Sequence, residues 1–303
     1  MKESHIAVIG AGVVGATTAY ALMLKNVASK ITLVDIQDIK CKGEVEDLSD
    51  VLSFSNTSEI VMGTLKDAGQ ADIAIITAGI AQKPGQSRTE LLKTNYAVIQ
   101  NVIQGMQPLH KDLIIIVVTN PVDVLTYWVQ KFSQLPKNQI FGSGTLLDSQ
   151  RLRENIGKVV GVAQQSVHIY VLGEHGDSQF VAWSSGMIAG VPLATFKECE
   201  QKALEKMAEK SMRKAYDIIE CKGSTAFGVA SCVTAYCQNI VFDTKRVLPV
   251  SCYLEKYDVC VSMPVVMGLG GVERIIEPSL NEQEKEYLKR SINNVKFSLQ
   301  LCN

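Results

Sequence analysis

His5-Ile-Ala-Val-Ile-Gly10-Ala-Gly-Val-Val-Gly15 sets a short apolar run directly against the glycine pattern G-x-G-x-x-G. A run this short and continuous, rich in β-branched residues, reads as a strand buried on both faces. The glycines after it have separable uses. Gly10 permits a tight turn, Gly12 lets the backbone approach a pyrophosphate, and Gly15 lets the following helix pack on the strand. Phosphates would then face N–H groups at a helix N-terminus. Asp35 stands 20 residues past Gly15, at the end of the next apolar run, where its carboxylate can accept both ribose hydroxyls and repel a 2′-phosphate. NAD is thereby favoured over NADP. A plain glycine turn followed by a solvent-facing Asp is the alternative, and the strand–turn–helix–strand context speaks against it. A P-loop is excluded, because no GxxxxGK[ST] occurs.

Working outward, Ile31–Asp35, Asp72–Thr77 and Leu113–Thr119 repeat the buried-strand pattern, with a further short run at Gln139–Phe141. Helices are expected between them at about 13–25, 40–54, 88–107 and 121–131. This alternation predicts an α/β fold: a Rossmann-type doubly wound parallel sheet over residues 1–143. Past Asp148 the rhythm changes, with helices expected near 148–158, 197–220, 225–241 and 281–297, and strands at 167–172, 247–252 and 258–263. Asn281 and Glu284 have capping-box spacing at the start of the last helix. Residues 144–303 therefore read as a second, α+β substrate domain, and the cleft between the halves is the default ligand site.

Composition narrows the function. The 303 residues are 47% hydrophobic and 20% charged, enough apolar content for a core, so disorder and coiled coil are excluded. A net charge of −1 argues against a nucleic-acid binder or a membrane-surface protein. The richest apolar run, Leu113–Val118, is six residues, against the roughly 18–20 needed to span a bilayer. With no signal-peptide pattern visible, a cytoplasmic location is expected. The eight cysteines form no CxxC pair and no Cys/His cluster, so free, mostly buried thiols are expected and no metal site.

Only four histidines occur, and His175 alone sits in a glycine-flanked loop, Leu172-Gly-Glu-His175-Gly-Asp177. Such a loop can be approached closely by a ligand, although a lone loop histidine can equally be ordinary. Asp148 and Arg151 share one helical face. They could form a surface ion pair, or Asp148 could orient His175 and leave Arg151 to clamp a substrate carboxylate through its fork. Arg88 follows the Gly/Pro stretch Gln82-Lys-Pro-Gly-Gln-Ser87, where a lid would sit; it could also be the first turn of a solvated helix. Asn120, before Pro121, could bond substrate or only its own turn.

Taken together, Gly10–Gly15 with Asp35, Gln82–Arg88, Thr119-Asn-Pro-Val-Asp123, Gly142-Ser-Gly-Thr-Leu-Leu-Asp148-Ser-Gln-Arg151 and Gly173–Asp177 resemble the L-lactate/malate dehydrogenase family, in the same order and over nearly the whole chain. The bacterial-type lactate branch is the nearest match. The resemblance implies reversible, NAD-dependent reduction of pyruvate to L-lactate, as in glycolysis and fermentation. His175 would be the acid/base, Asp148 its partner, Arg151 the carboxylate clamp and Arg88 the group polarising the carbonyl. Asn120 and Thr225 would touch substrate, and Val14, Lys40, Gly79, Ile80, Thr119, Asn120 and Ser143 would join the glycines and Asp35 around the cofactor.

By the same resemblance Gln82 reads the substrate's side chain. A neutral amide suits the methyl of pyruvate, whereas malate enzymes carry Arg there; a dicarboxylate facing Gln would be desolvated without a partner. Arg153 and His168 match positions that bind fructose 1,6-bisphosphate across a subunit interface in allosteric bacterial members, and a homotetramer is implied. Two departures stand out: Ser251–Asp258 is shorter than the usual hairpin connection, and Gln86 replaces a common Glu. The rival readings are a malate dehydrogenase of the same family and a non-catalytic NAD-binding protein.

Overall fold

The computed structural model describes residues 4–80 and 88–302. Six strands form its parallel part: β1 (His5–Ile9), β2 (Lys30–Val34), β3 (Glu59–Met62), β4 (Ile73–Ile76), β5 (Ile114–Val117) and β6 (Ile140–Gly142). Their spatial order is β3-β2-β1-β4-β5-β6, so the chain reverses direction beside β1, where doubly wound sheets take their ligands. Helices α1 (Val13–Leu24), α2 (Asp38–Ser49), α3 (Leu65–Gly69), α4 (Arg88–Met106) and α5 (Val122–Ser133) connect them.

The apolar runs are continuous because both faces are covered. Ile6 and Val8 join Ile31, Leu33, Ile73 and Ile75 beneath α1 and a later helix at Phe227–Val241. Ala7 and Ile9 point the opposite way, joining Ile76, Ile115 and Val117 beneath α4 and α5. Alternate side chains thus serve two cores, which removes the polar half of the usual strand pattern.

The second half begins with α6 (Leu146–Val160). Five short strands follow: β7 (Val167–His168), β8 (Val171–Leu172), β9 (Phe180–Val181), β10 (Met187–Ile188) and β11 (Val191–Pro192). Helices α7 (Gln201–Lys222) and α8 (Phe227–Val241) come next, then β12 (Arg246–Leu254), β13 (Val259–Gly268), β14 (Gly271–Ile275) and α9 (Glu282–Gln300). A separate small core gathers Leu152 and Ile156 of α6 with Val167, Ile169, Ile188 and Leu204. The expected box on α9 is present: Asn281 accepts the Glu284 N–H while Glu284 accepts that of Asn281.

Strands β12–β14 do not form a sheet of their own. They extend the first one, antiparallel, through a single pairing of Ser251 with Gly142. The expected 40–54 helix is α2 followed by a 3₁₀ turn at Asp50–Phe54. Six strands and helices had not been anticipated: β3, α3, the two-residue strands β9, β10 and β11, and β14. As an edge strand of four residues with one fully buried side chain, β3 has almost no periodicity to read. The hairpin turn between β12 and β13 is a 3₁₀ turn at Glu255–Tyr257 closed by Asp258, whose carboxylate takes the Tyr253 and Tyr127 hydroxyls and so ties the short connection to α5.

All eight cysteines are unpaired and six are buried. Among the described residues, no helix is long and apolar enough to cross a membrane.

Candidate active site

The cofactor candidates line up along the carboxyl ends of the parallel strands. Gly10 closes β1 at φ +107, a conformation L side chains rarely adopt. A Cβ on Gly15 would collide with the Gly10 carbonyl oxygen, so the start of α1 packs as close to the turn as backbone allows. Around Gly12, by contrast, nothing lies within 4 Å of where a Cβ would stand. Gly12 caps α1 without a side chain, so no capping side chain takes up the first N–H groups of that helix. One glycine turns, one packs and one leaves room, and a pyrophosphate fits the space they frame.

Asp35 follows β2 and is half-buried, its carboxylate accepting N–H groups from Ala11 (2.6 Å) and Gln37 (2.9 Å). The glycine turn is therefore tied directly to the carboxylate expected to meet the ribose. Val14 is half-buried in the first turn of α1, and Lys40 is exposed in the first turn of α2. Gly79 and Ile80 follow β4, Thr119 and Asn120 follow β5, and Ser143 follows β6. Thr119 donates to the Ala78 carbonyl (2.7 Å), and the Ser143 carbonyl accepts the Tyr236 hydroxyl (2.7 Å).

At the other centre, α6 brings Asp148 and Arg151 together inside the protein, 4% and 7% exposed, with Arg151 Nη1 3.8 Å from Asp148 Oδ1. This is no surface pair. The other oxygen of Asp148, Oδ2, lies 3.0 Å from His175 Nδ1, in the loop after β8. The imidazole is 32% exposed, which leaves its Nε2 edge for the cleft. Burial by itself would drive the proton off His175, but the charge and hydrogen bond of Asp148 outweigh it and raise the pKa to about 9. Burial pushes the Asp148 carboxyl upward in turn, yet His175 and Arg151 hold it below its usual value. At neutral pH the site holds an imidazolium, a carboxylate and a guanidinium.

A cleft of about 410 Å³ opens in front of His175. Asn120, Asp148 and Asp177 line it together with Met212 and Tyr216 of α7 and Phe297 of α9. Thr225 is half-buried in the connection between α7 and α8 and is not among the residues lining this cleft. Arg88 opens α4. Gln82, Gln86 and the lid expected at 82–87 lie outside the described residues. Arg153 is half-buried; its Nε donates to the Ile169 carbonyl (3.0 Å) and its guanidinium lies 5.0 Å from the centre of the Tyr170 ring. His168, adjacent to Ile169, is exposed on β7.

Other site-building residues were not anticipated. Asn95 of α4, 1% exposed, accepts the Ile80 N–H (2.8 Å) and donates to the Asn120 carbonyl (2.8 Å), joining the turns after β4 and β5. Ser291 of α9 accepts the Glu174 N–H (2.5 Å) and Ser178 bonds the Glu174 carboxylate, which braces the histidine loop from below. Asp123, quoted only as the end of a motif, accepts the His175 main-chain N–H (2.7 Å). A buried Asn or Ser two or more turns into an amphipathic helix carries no local sign of such a partner.

Comparison with known proteins matches this layout. Residues 4–142 match the lactate/malate dehydrogenase NAD-binding domain, and residues 145–302 the alpha/beta C-terminal domain of the same family. The chain belongs to the lactate/malate dehydrogenase family. It is 45% identical to L-lactate dehydrogenase A of Rhizopus oryzae, over 97% of this chain and 92% of that protein. It is 43% identical to the L-lactate dehydrogenase of Acetivibrio thermocellus, over 96% and 95%. Among solved structures, the minor L-lactate dehydrogenase of Enterococcus mundtii in a ligand-bound form superposes with a TM-score of 0.95 at 35% identity, covering 100% of this chain and 99% of that one. A lactate dehydrogenase from a deep-sea metagenome library superposes equally well. The matched N-terminal domain is the family's NAD-binding domain, so the cofactor is NAD.

Proposed function

We propose that the chain is an NAD-dependent L-lactate dehydrogenase interconverting pyruvate and L-lactate, with His175 as acid and base. The observation that carries this reading is a protonated imidazole lining the cleft, held near pKa 9 by a buried carboxylate that a buried guanidinium also approaches. NAD(H), when bound along the carboxyl edge of the sheet, supplies or accepts the hydride at the substrate's C2.

The remaining work falls to side chains. Arg151 pairs with the substrate carboxylate. His175 donates the Nε2 proton to the ketone oxygen, while Asp148 keeps Nδ1–H in place and stabilises the imidazolium before transfer. Arg88 polarises the carbonyl, and exclusion of water from the cleft strengthens each charge interaction inside. Asn120 hydrogen-bonds the substrate oxygen, Thr225 borders the substrate's far side and Gln82 faces the methyl group. In lactate oxidation neutral His175 removes the hydroxyl proton.

The Gln82 amide and the relatives named L-lactate dehydrogenase support lactate over malate. We further read the enzyme as a cytoplasmic homotetramer. Fructose 1,6-bisphosphate would be held between subunits by Arg153, whose Nε reaches the Ile169 carbonyl, and by His168, the residue before Ile169. NADH oxidation measured with pyruvate and with oxaloacetate, with and without the bisphosphate, tests the whole reading. Pyruvate turns over faster, and the bisphosphate lowers its KM in the native chain but not in Arg153→Gln. Preference for oxaloacetate replaces the assignment with malate dehydrogenase; indifference to the bisphosphate removes the effector. Arg151→Leu raises the pyruvate KM by about 100-fold or more, the loss of a charge-assisted bidentate contact.

A further inference from the structure

Asp123 takes no part in the chemistry described above, yet it is one of the least exposed charges in the molecule, at 2%. It lies in the first turn of α5, in the nucleotide-binding half, and both of its oxygens are engaged. Oδ2 accepts the main-chain N–H of His175 at 2.7 Å, and Oδ1 accepts the Ser251 hydroxyl of β12 at 2.6 Å. The partners lie 52 and 128 residues away in sequence. One carboxylate thus joins α5, the histidine loop and the strand through which the two halves share a sheet.

We propose that Asp123 is a positioning residue for His175, fixing the histidine's main chain across the two halves and adding a second negative charge behind its ring. The first role follows from the hydrogen bond. A loop flanked by Gly173 and Gly176 has a permissive backbone, and a charge-assisted bond to its central N–H removes that freedom where it matters. The second follows from proximity in a poorly solvated site, where a nearby anion favours the protonated imidazole.

The surrounding groups leave this role to Asp123. On α6, Asp148 supports the imidazolium and Arg151 opposes it. Glu174, in the same loop, faces Asp123 as a like charge. The neighbouring thiols Cys252 of β12 and Cys260 of β13 are kept protonated by burial, so neither competes. Burial pushes the Asp123 carboxyl up to about 6 despite its two hydrogen bonds. The group is therefore ionised throughout the range in which His175, near 9, gives up its proton.

Two substitutions separate the roles. In Asp123→Asn the amide oxygen can still accept the His175 N–H and the amide nitrogen can donate to Ser251, so the tether persists without its charge. In Asp123→Ala both are lost. The inference rests on His175 being the acid of the proposed reaction, so one readout is independent of turnover: NMR titration of the His175 ring. Asp123→Asn lowers the His175 pKa by about half a unit to one unit, with the alkaline limb of pyruvate reduction moving by the same amount. Asp123→Ala also lowers kcat about tenfold at all pH values, while the pyruvate KM, which belongs to Arg151, changes by no more than about twofold. An unmoved titration in Asp123→Asn overturns the proposal, even if Asp123→Ala fails to fold. An Asp123→Ala loss that merely follows the folded fraction overturns the tether. A titration that moves in a chain inactive on pyruvate overturns the assigned reaction and leaves the coupling standing.

Discussion

The turn after β1 and the loop after β8 are built from opposite materials. At Gly10–Gly15 the working parts are main-chain N–H groups and the space left by missing side chains, and the nearest charge, Asp35, is half-exposed. At Gly173–Asp177 the working parts are side chains, with one imidazole surrounded by Asp148, Asp123 and Arg151, each less than a tenth exposed. The first arrangement suits a large anion that brings its own reactive group. The second suits a small substrate whose reaction needs a proton held ready. A backbone cradle tolerates water, whereas a proton poised near pKa 9 depends on charges kept out of it.

The contrast breaks most clearly at His175. His175→Ala lowers kcat for pyruvate reduction by about 10²–10⁴-fold, the range of a positioned general acid, with NADH affinity by fluorescence titration within about twofold of the native value. The pH dependence of the native enzyme follows from the same residue. Its folded pKa of about 9 lies above the ordinary 6.5, so kcat/KM for pyruvate holds at neutral pH and falls as pH rises through about 9. Lactate oxidation runs the other way, rising over that range. The link to stability has a definite sign. A histidine whose pKa rises on folding stabilises the folded state fully below 6.5 and ceases to do so as pH passes about 9. A pyruvate profile centred near 6.5 would mean that Asp148 does not hold the proton.

The glycine turn sharpens the comparison within itself. A Cβ at Gly15 meets the Gly10 carbonyl oxygen, so Gly15→Ala lowers folding stability by about 1–3 kcal/mol, the cost of overpacking, as read by denaturant unfolding. At Gly12 the backbone angles accept Ala and the surrounding space is open. Gly12→Ala therefore leaves the unfolding midpoint almost unchanged but weakens NADH binding about tenfold, because the added methyl occupies the room left for phosphate. Equal loss of stability in the two variants would show that the open space is not a binding site.

The same contrast explains what could be read along the chain. Gly10, Gly12, Gly15 and Asp35 announce themselves because their function is local: strand, turn, helix and next strand are contiguous. Asp148 and Arg151 were legible as a pair for the same reason, lying one helical turn apart. Their burial was not, since it depends on cores contributed by residues far along the chain. Asp123 and Ser251 meet across 128 residues, and no periodicity encodes that meeting. Strands β12–β14 read as strands, but their fusion to β6 rests on one Ser251–Gly142 pairing, which leaves no local pattern.

Asn95 is where the cradle borrows the other region's method. Its side-chain amide is fully used: Oδ1 accepts the Ile80 N–H at 2.8 Å, and Nδ2 donates to the carbonyls of Ile80 at 3.2 Å and Asn120 at 2.8 Å. Asn95→Ala strands three backbone groups, which in a closed core would cost several kcal/mol. Here Ile80 is 45% exposed and Asn120 is exposed as well, so water can replace part of what is lost. The expected stability loss is accordingly only about 1 kcal/mol, the net value of a hydrogen bond with solvent at hand. Function registers the change through position: NADH affinity and the pyruvate KM each worsen by about threefold, because Ile80 and Asn120 lose their common support. A variant that loses several kcal/mol with unchanged KM would make Asn95 a core residue and nothing more. If NADH affinity fell while the pyruvate KM held, the turns after β4 and β5 would be shown to move independently, and the cradle would be pure backbone after all.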